Sequence, residues 1–142
     1  MNIYKVVTIS LLALVSACSA IEPANREDLL RLHDIWALEK MQGELVSINQ
    51  GLQRPQLEIH LRDMKIIGND GCNNFSGSIS SLDEEIISFG PVMGTRMFCQ
   101  EMELPDGFNQ QLNKVAAYKL DDLRLLFFDT AGEELLIFKK VD

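Results

Sequence analysis

Leu57-Glu-Ile-His-Leu-Arg62 alternates apolar and polar side chains over six consecutive positions. A period of two puts one face against a core and the other in water, which is the pattern of a half-buried strand. Leu57, Ile59 and Leu61 form the inner face, and His60 points outward. The turn Arg62-Asp-Met64 and the apolar run Lys65-Ile-Ile-Gly68 follow, so the unit reads as a hairpin. A second hairpin is predicted where Asp129-Thr-Ala-Gly132 joins Leu123-Arg-Leu-Leu-Phe-Phe128 to Glu134-Leu-Leu-Ile-Phe-Lys139. Ser76-Gly-Ser-Ile-Ser80 and Glu85-Ile-Ile-Ser-Phe89 form a third around Leu82-Asp-Glu84. Asp34-Ile-Trp-Ala-Leu-Glu-Lys-Met41 and Ala117-Tyr-Lys-Leu120 read as further strands, the first ended by Gly43. One segment has a helical period: Pro105 sits in its first turn, and Phe108, Leu112 and Val115 recur four and three residues apart. Asn109, Gln110, Gln111, Asn113 and Lys114 are expected on its polar face. About eight short strands and one helix predict an α+β, mostly β fold: a compact antiparallel barrel-like sheet with the helix over one end.

Upstream of this domain, Lys5 precedes the apolar-and-small run Val6-Val-Thr-Ile-Ser-Leu-Leu-Ala-Leu-Val15, with no acidic residue before Glu22. A bilayer-spanning helix takes about twenty residues and this run has roughly half, so it reads as a signal peptide. Leu14-Val-Ser-Ala-Cys18 resembles the lipobox of bacterial lipoprotein precursors. That resemblance implies removal of residues 1–17 and a lipid on Cys18, and two or three acyl chains would hold a soluble domain on a membrane. Residues 18–33 are then the lipidated cysteine and a polar tether in which Leu29-Leu-Arg-Leu-His33 could add a helical turn, and 34–142 is the domain. Ser19, rather than an aspartate, follows the cysteine, which points to the outer membrane of a Gram-negative envelope, facing the periplasm.

The mature stretch of about 125 residues suits one core, not two. The whole chain carries 13 Lys+Arg against 21 Asp+Glu, a net charge of −8, and loses one more positive charge with Lys5. This balance excludes nucleic acid and a polybasic grip on anionic lipid, both of which need clustered Lys and Arg. If Cys18 is lipidated, Cys72 and Cys99 remain as an even pair in an exported protein. A disulfide between them would close a loop of about 27 residues, worth on the order of 3.5 kcal/mol. Two free thiols, or half of a metal site, are the other readings. His33 and His60 stand isolated in sequence and no Cys-x-x-Cys occurs, so no metal is expected.

Gly68-Asn-Asp-Gly-Cys-Asn-Asn-Phe-Ser-Gly77 is a dense cluster of turn residues. Cys72 and Phe75 are its expected inward anchors. Gly71 and Gly77 are expected to supply backbone freedom for a reversal on both sides of Cys72, and Asn73 and Asn74 to bond amides of the same turn. Arg96 lies between apolar neighbours and calls for a partner, Asp70 or a loop carbonyl. Gly71-Cys-Asn-Asn-Phe-Ser-Gly77, Ile87-Ser-Phe-Gly-Pro91 and Thr95-Arg-Met-Phe-Cys99, with Trp36 upstream, resemble the META domain, the family of HslJ-like heat-shock lipoproteins. The likeness covers about residues 34–141, and Gly94 departs from the serine or alanine that often precedes the threonine. It implies a mixed antiparallel barrel with one helix and no catalytic activity. It also implies a link to envelope and heat-shock stress and to novobiocin-type antibiotic tolerance. The corner from Gly71 to Gly77 with Thr95 and Arg96 is then either a disulfide-braced brace of the barrel or a recognition surface.

No nucleophile elbow, zinc-protease helix, phosphate loop or dinucleotide fingerprint occurs in the sequence. Asp83-Glu-Glu85 and Asp121-Asp122 are expected as solvated charges in hairpin turns. The expectation is a non-catalytic, monomeric domain without cofactor, attached to a membrane through Cys18 and acting on an envelope protein or a small ligand. It would be a stress factor or, alternatively, a tethered protein-binding or enzyme-inhibitor module. Cys18→Ala should abolish acyl labelling and leave the precursor uncut or mis-cut; unchanged labelling would contradict the lipobox reading.

Overall fold

The computed structural model describes residues 26–141; the leader, Cys18 and the first part of the tether lie outside them. In chain order the elements are α1 (Arg26–Arg31), β1 (Ile35–Met41), β2 (Glu44–Leu45), β3 (Gln56–His60), β4 (Lys65–Asn69), β5 (Asn74–Leu82) and β6 (Ile87–Gly94), followed by α2 (Glu103–Leu112), β7 (Ala117–Asp121), β8 (Arg124–Phe128) and β9 (Glu134–Lys140). All strands join one antiparallel sheet in the order β6-β5-β4-β3-β1-β9-β8-β7, with β2 folded back on β1. The sheet curls into a half-barrel whose end strands meet at one bridge, Ile86 to Ala117, beside a bond from the Tyr118 amide to the Glu85 carbonyl (2.9 Å).

The period-two reading of β3 is realised: Leu57 and Ile59 are fully buried, while Glu58 and His60 share the outer face. In β1 the inward residues are Trp36 and Leu38, after which a bulge at Glu39 shifts the register against β9. β9 buries four consecutive residues, Leu135 to Phe138, as a central strand does, so its apolar run shows no alternation. Phe75, Phe108, Phe138, Phe127 and Phe89 form an unbroken chain of ring contacts at 5.6–6.2 Å. Phe108 thereby plugs α2 into the barrel interior.

Two expectations are corrected. Gln111 is buried rather than solvated, because it follows Phe108 by three residues and so lies on the same helical stripe, whatever its polarity. The tether gives way to structure early: α1 begins at Arg26, and Leu32 is fully buried, accepting the Trp36 indole N–H on its carbonyl at 3.1 Å. Nine strands and two helices among the described residues compare with the eight and one read from the sequence: β2, of two residues, is new, and α1 is the helical turn read at residues 29–33, begun earlier at Arg26.

Two ion pairs fasten strand ends. Asp34 meets Lys140 at 2.7 Å, and Glu39 takes a two-pronged hold on the Arg124 guanidinium at 2.8 and 3.2 Å. Burial pushes the Asp34 carboxyl up, but the Lys140 hydrogen bond, the Ile35 amide and nearby positive charge outweigh it, and its pKa falls below the ordinary value. The Arg124 hydrogen bond lowers that of Glu39. A carboxylate with a lowered folded-state pKa contributes stability above its unfolded pKa and loses it as pH falls through the folded one. Unfolding stability should therefore be level above about pH 5 and decline below about pH 4. Urea titrations across that range should show a shallower decline in an Asp34→Asn, Glu39→Gln protein.

Candidate functional site

The turn-rich segment makes the reversal between β4 and β5. Its last ladder pair is Asn69 with Asn74, and the Asp70 amide closes the loop on the Asn73 carbonyl at 2.9 Å. Gly71 takes φ +108°, a conformation that side chains disfavour. Its N–H is received by Asn69 Oδ1 at 2.7 Å. Asp70, only 3% exposed, accepts the amides of Cys72 (2.9 Å) and Asn73 (2.6 Å) on Oδ1, and the Asn109 side-chain amide of α2 (2.7 Å) on Oδ2. A buried carboxylate is tolerated when its oxygens are filled in this way, and Asp70 locks loop to helix.

Asn73 does something different. Its Oδ1 accepts the Met97 amide (2.6 Å) and the Thr95 hydroxyl (3.0 Å), and its Nδ2 donates to the Met97 carbonyl (3.3 Å). One side-chain amide thus engages both backbone groups of Met97, as a neighbouring strand would. The Thr95 amide donates to the Asn74 carbonyl (2.9 Å), and Thr95 Oγ1 accepts from the Asn74 amide (3.2 Å). Cys72 and Cys99 are joined as a disulfide. Residues 95–99 are therefore held at the start, middle and end.

What that held segment presents is apolar. Phe98 is 90% exposed, Met97 56%, and neighbouring Met93 73%. Soluble domains rarely display adjacent large apolar side chains on a fixed backbone unless something covers them. Arg96 is exposed and makes no ion pair with a described residue, and Asp70, its expected partner, is filled by Cys72, Asn73 and Asn109. Beside it a cleft of about 470 Å³ lies between the end of β6 and α2.

Other sequence-based assignments change as well. Asn73 does not bond an amide of its own turn but reaches across to Thr95 and Met97, and Asn74 Oδ1 accepts from Asn69 Nδ2 at 2.9 Å. Asn69 and Asp70 take the local role, and their place directly before Gly71-Cys72 was the signal for it. Gly77 is not at a reversal: it lies within β5, where an added Cβ would approach Val92 Cγ2 to 3.1 Å, so close packing requires it. Phe75 and Cys72 are buried, pointing inward. His33 and His60 do not stand isolated. Their rings meet edge to face at 5.7 Å, His33 Nδ1 accepts the Leu61 amide at 3.4 Å, and His60 Nε2 lies 2.9 Å from Glu58 Oε1. Among the described residues no group of three His, Cys, Asp or Glu side chains is placed to hold a metal ion. Asp83, Glu84, Glu85, Asp121 and Asp122 are exposed at or beside the hairpin turns.

A family model matches most of the chain that builds this half-barrel and its corner. The chain belongs to the META domain family. The match runs over residues 28–142, and so takes in most of α1 ahead of the expected domain start. Three solved structures are similar. One is an NMR structure of a protein from Burkholderia xenovorans, 22% identical, covering 80% of this chain and 87% of that one, with a TM-score of 0.60. A second NMR structure is 23% identical over 77% and 90% of the two chains, at 0.58. The crystal structure of a duf4847 family protein from Bacteroides vulgatus is 12% identical over 81% and 99%, at 0.55. At such identities the likeness is one of fold. No curated protein matches the chain.

If the META corner is held as described, Cys72→Ala with Cys99→Ala should lower unfolding free energy by roughly 2–5 kcal/mol, with strand content unchanged below the melting point. Asn73→Ala leaves the disulfide intact but strands a partly buried backbone pair. It should cost about 1–3 kcal/mol and speed amide exchange at Met97 more than in β3. Equal exchange at both places would refute the clamp.

Proposed function

We propose that this META domain is the working part of an exported lipoprotein, carried on a lipidated Cys18 at the periplasmic face of the outer membrane. It has no catalytic role of its own and binds another envelope protein in the response to envelope or heat-shock stress, or in novobiocin-type tolerance. The observation that carries the binding role is the segment from Thr95 to Cys99, whose backbone is fixed by Asn73 and the disulfide while Phe98 stands 90% exposed. A preformed backbone lowers the ordering cost of association, and an exposed aromatic beside methionines supplies the apolar contact.

Placement supports the same reading. α1 leads into His33, which lies against Leu61 at one end of β3, whereas the corner sits at the far end of β4. The corner therefore lies at the opposite end of the β3-β4 hairpin from the point where the chain enters the sheet, which leaves it open to partners. The alternative, an inhibitor that inserts the loop into an enzyme's cleft, is favoured by the same rigidity and differs in what it captures.

Replacing Phe98 by a photo-crosslinking residue in the lipidated protein, in its own envelope, tests the proposal. Capture at position 98 should be specific, and Phe98→Ala should weaken isolated binding on the order of 30-fold, the effect of a hot-spot aromatic. Stability should move by less than about 0.5 kcal/mol, since the side chain is in water. A Phe98→Ala strain that keeps full stress tolerance would refute the role of the corner. Capture of an inactivated enzyme would select the inhibitor.

A further inference from the structure

β6 is an end strand of the sheet, and apart from the bridge at Ile86 its outer edge has no ladder partner among the described residues. Backbone groups of successive strand residues point to opposite sides. The Thr95 amide bonds the Asn74 carbonyl of β5, and Met93 opposes Ser76 two residues earlier, so Thr95 and Met93 face β5. Val92 and Gly94 therefore turn both N–H and C=O the other way. Val92 and Gly94 line the cleft beside the corner, together with Met102, Asn109 and Asn113 on the α2 side. A strand edge and a helix with a gap between them form a groove for an extended chain.

Charge adds a direction. The molecule is acidic, at −8 overall, yet the cation at the mouth of this groove, Arg96, has no acidic partner among the described residues. A guanidinium offers a fork of donors that suits a carboxylate. Asp106, also exposed, lines the same cleft and disfavours a second anion there. Met93 and Met102 supply adaptable apolar contact without strict shape demands.

We infer that the groove between the outer edge of β6 and α2 takes an extended segment of a partner polypeptide. The segment pairs its backbone with Val92 and Gly94, lays apolar side chains on Met93 and Met102, and places one carboxylate on Arg96. This deepens the proposed binding role by naming the partner's form, and rests on that reading.

The test uses the mature full-length protein in detergent and a fluorescein-labelled Ser-Val-Thr-Val-Asp peptide with an amidated C-terminus, so that the aspartate carries its one carboxylate, read by fluorescence anisotropy. A copy N-methylated at alternate amides keeps the side chains but cannot pair as a strand, and a third copy carries lysine in place of the aspartate. Strand addition predicts binding of the first, loss with the second, and at least tenfold weakening with the third. Arg96→Glu should reverse that order, favouring the lysine peptide, with an unchanged melting temperature to show that the fold is intact. Equal binding of the N-methylated peptide, indifference to Arg96→Glu, or no binding by any peptide at millimolar concentration would overturn the inference. In those cases specific capture at Phe98 would leave the broader proposal standing. Peptide binding without any partner at Phe98 would do the reverse.

Discussion

The carboxamide of Asn73 bonds both the N–H and the C=O of Met97, and the shape of the corner depends on that one contact. Without a strand beside it, an irregular segment carries backbone groups that must be paired or left to water. Here a side chain stands in for the strand. Thr95 and the disulfide close the two ends of the same segment. The consequence is a stretch of chain that is rigid without being buried. Apolar side chains at Met97 and Phe98 can then be displayed in a defined position rather than collapsing onto the core.

The corner in turn leans on the barrel. Asp70 joins its turn to Asn109 of α2, and Phe75, one residue past the last ladder pair of that turn, packs against Phe108 of the same helix. Phe108 continues through Phe138 and Phe127 to Phe89, so α2 is anchored by an aromatic chain across the interior. The helix has no side-chain cap at its start; Glu103 and Asp106 in the first turn complement the partial positive charge there instead. Helix, corner and barrel wall thus form one mechanical unit, and the cleft between β6 and α2 is a by-product of how that unit closes. The sheet does not seal completely because its end strands touch only near Ile86 and Ala117.

Strand identity was legible because period two follows from pleating alone. Leu57 and Ile59 needed no tertiary information to be placed inward. The hairpins around residues 62–64 and 129–133 were equally local, and the helix stripe of Phe108 and Leu112 was visible in its spacing. The same rule assigned Gln111 to the wrong side only where residue polarity was allowed to override the helical period.

What the residues by themselves determined is therefore the set of strands, their inner faces, the one amphipathic helix, the even pair of cysteines and membership of the META family. All of these depend on neighbours within a few positions or on a motif. Only the tertiary structure decided which distant groups meet. Asp70 found Asn109, thirty-nine residues on, instead of Arg96, and Asn73 found Met97 across the corner. His33 came to lie against His60, and Phe98 was left in water. A polar side chain's partner is whichever complementary group the folded backbone brings within about 3 Å, and spacing along the chain carries no record of that distance.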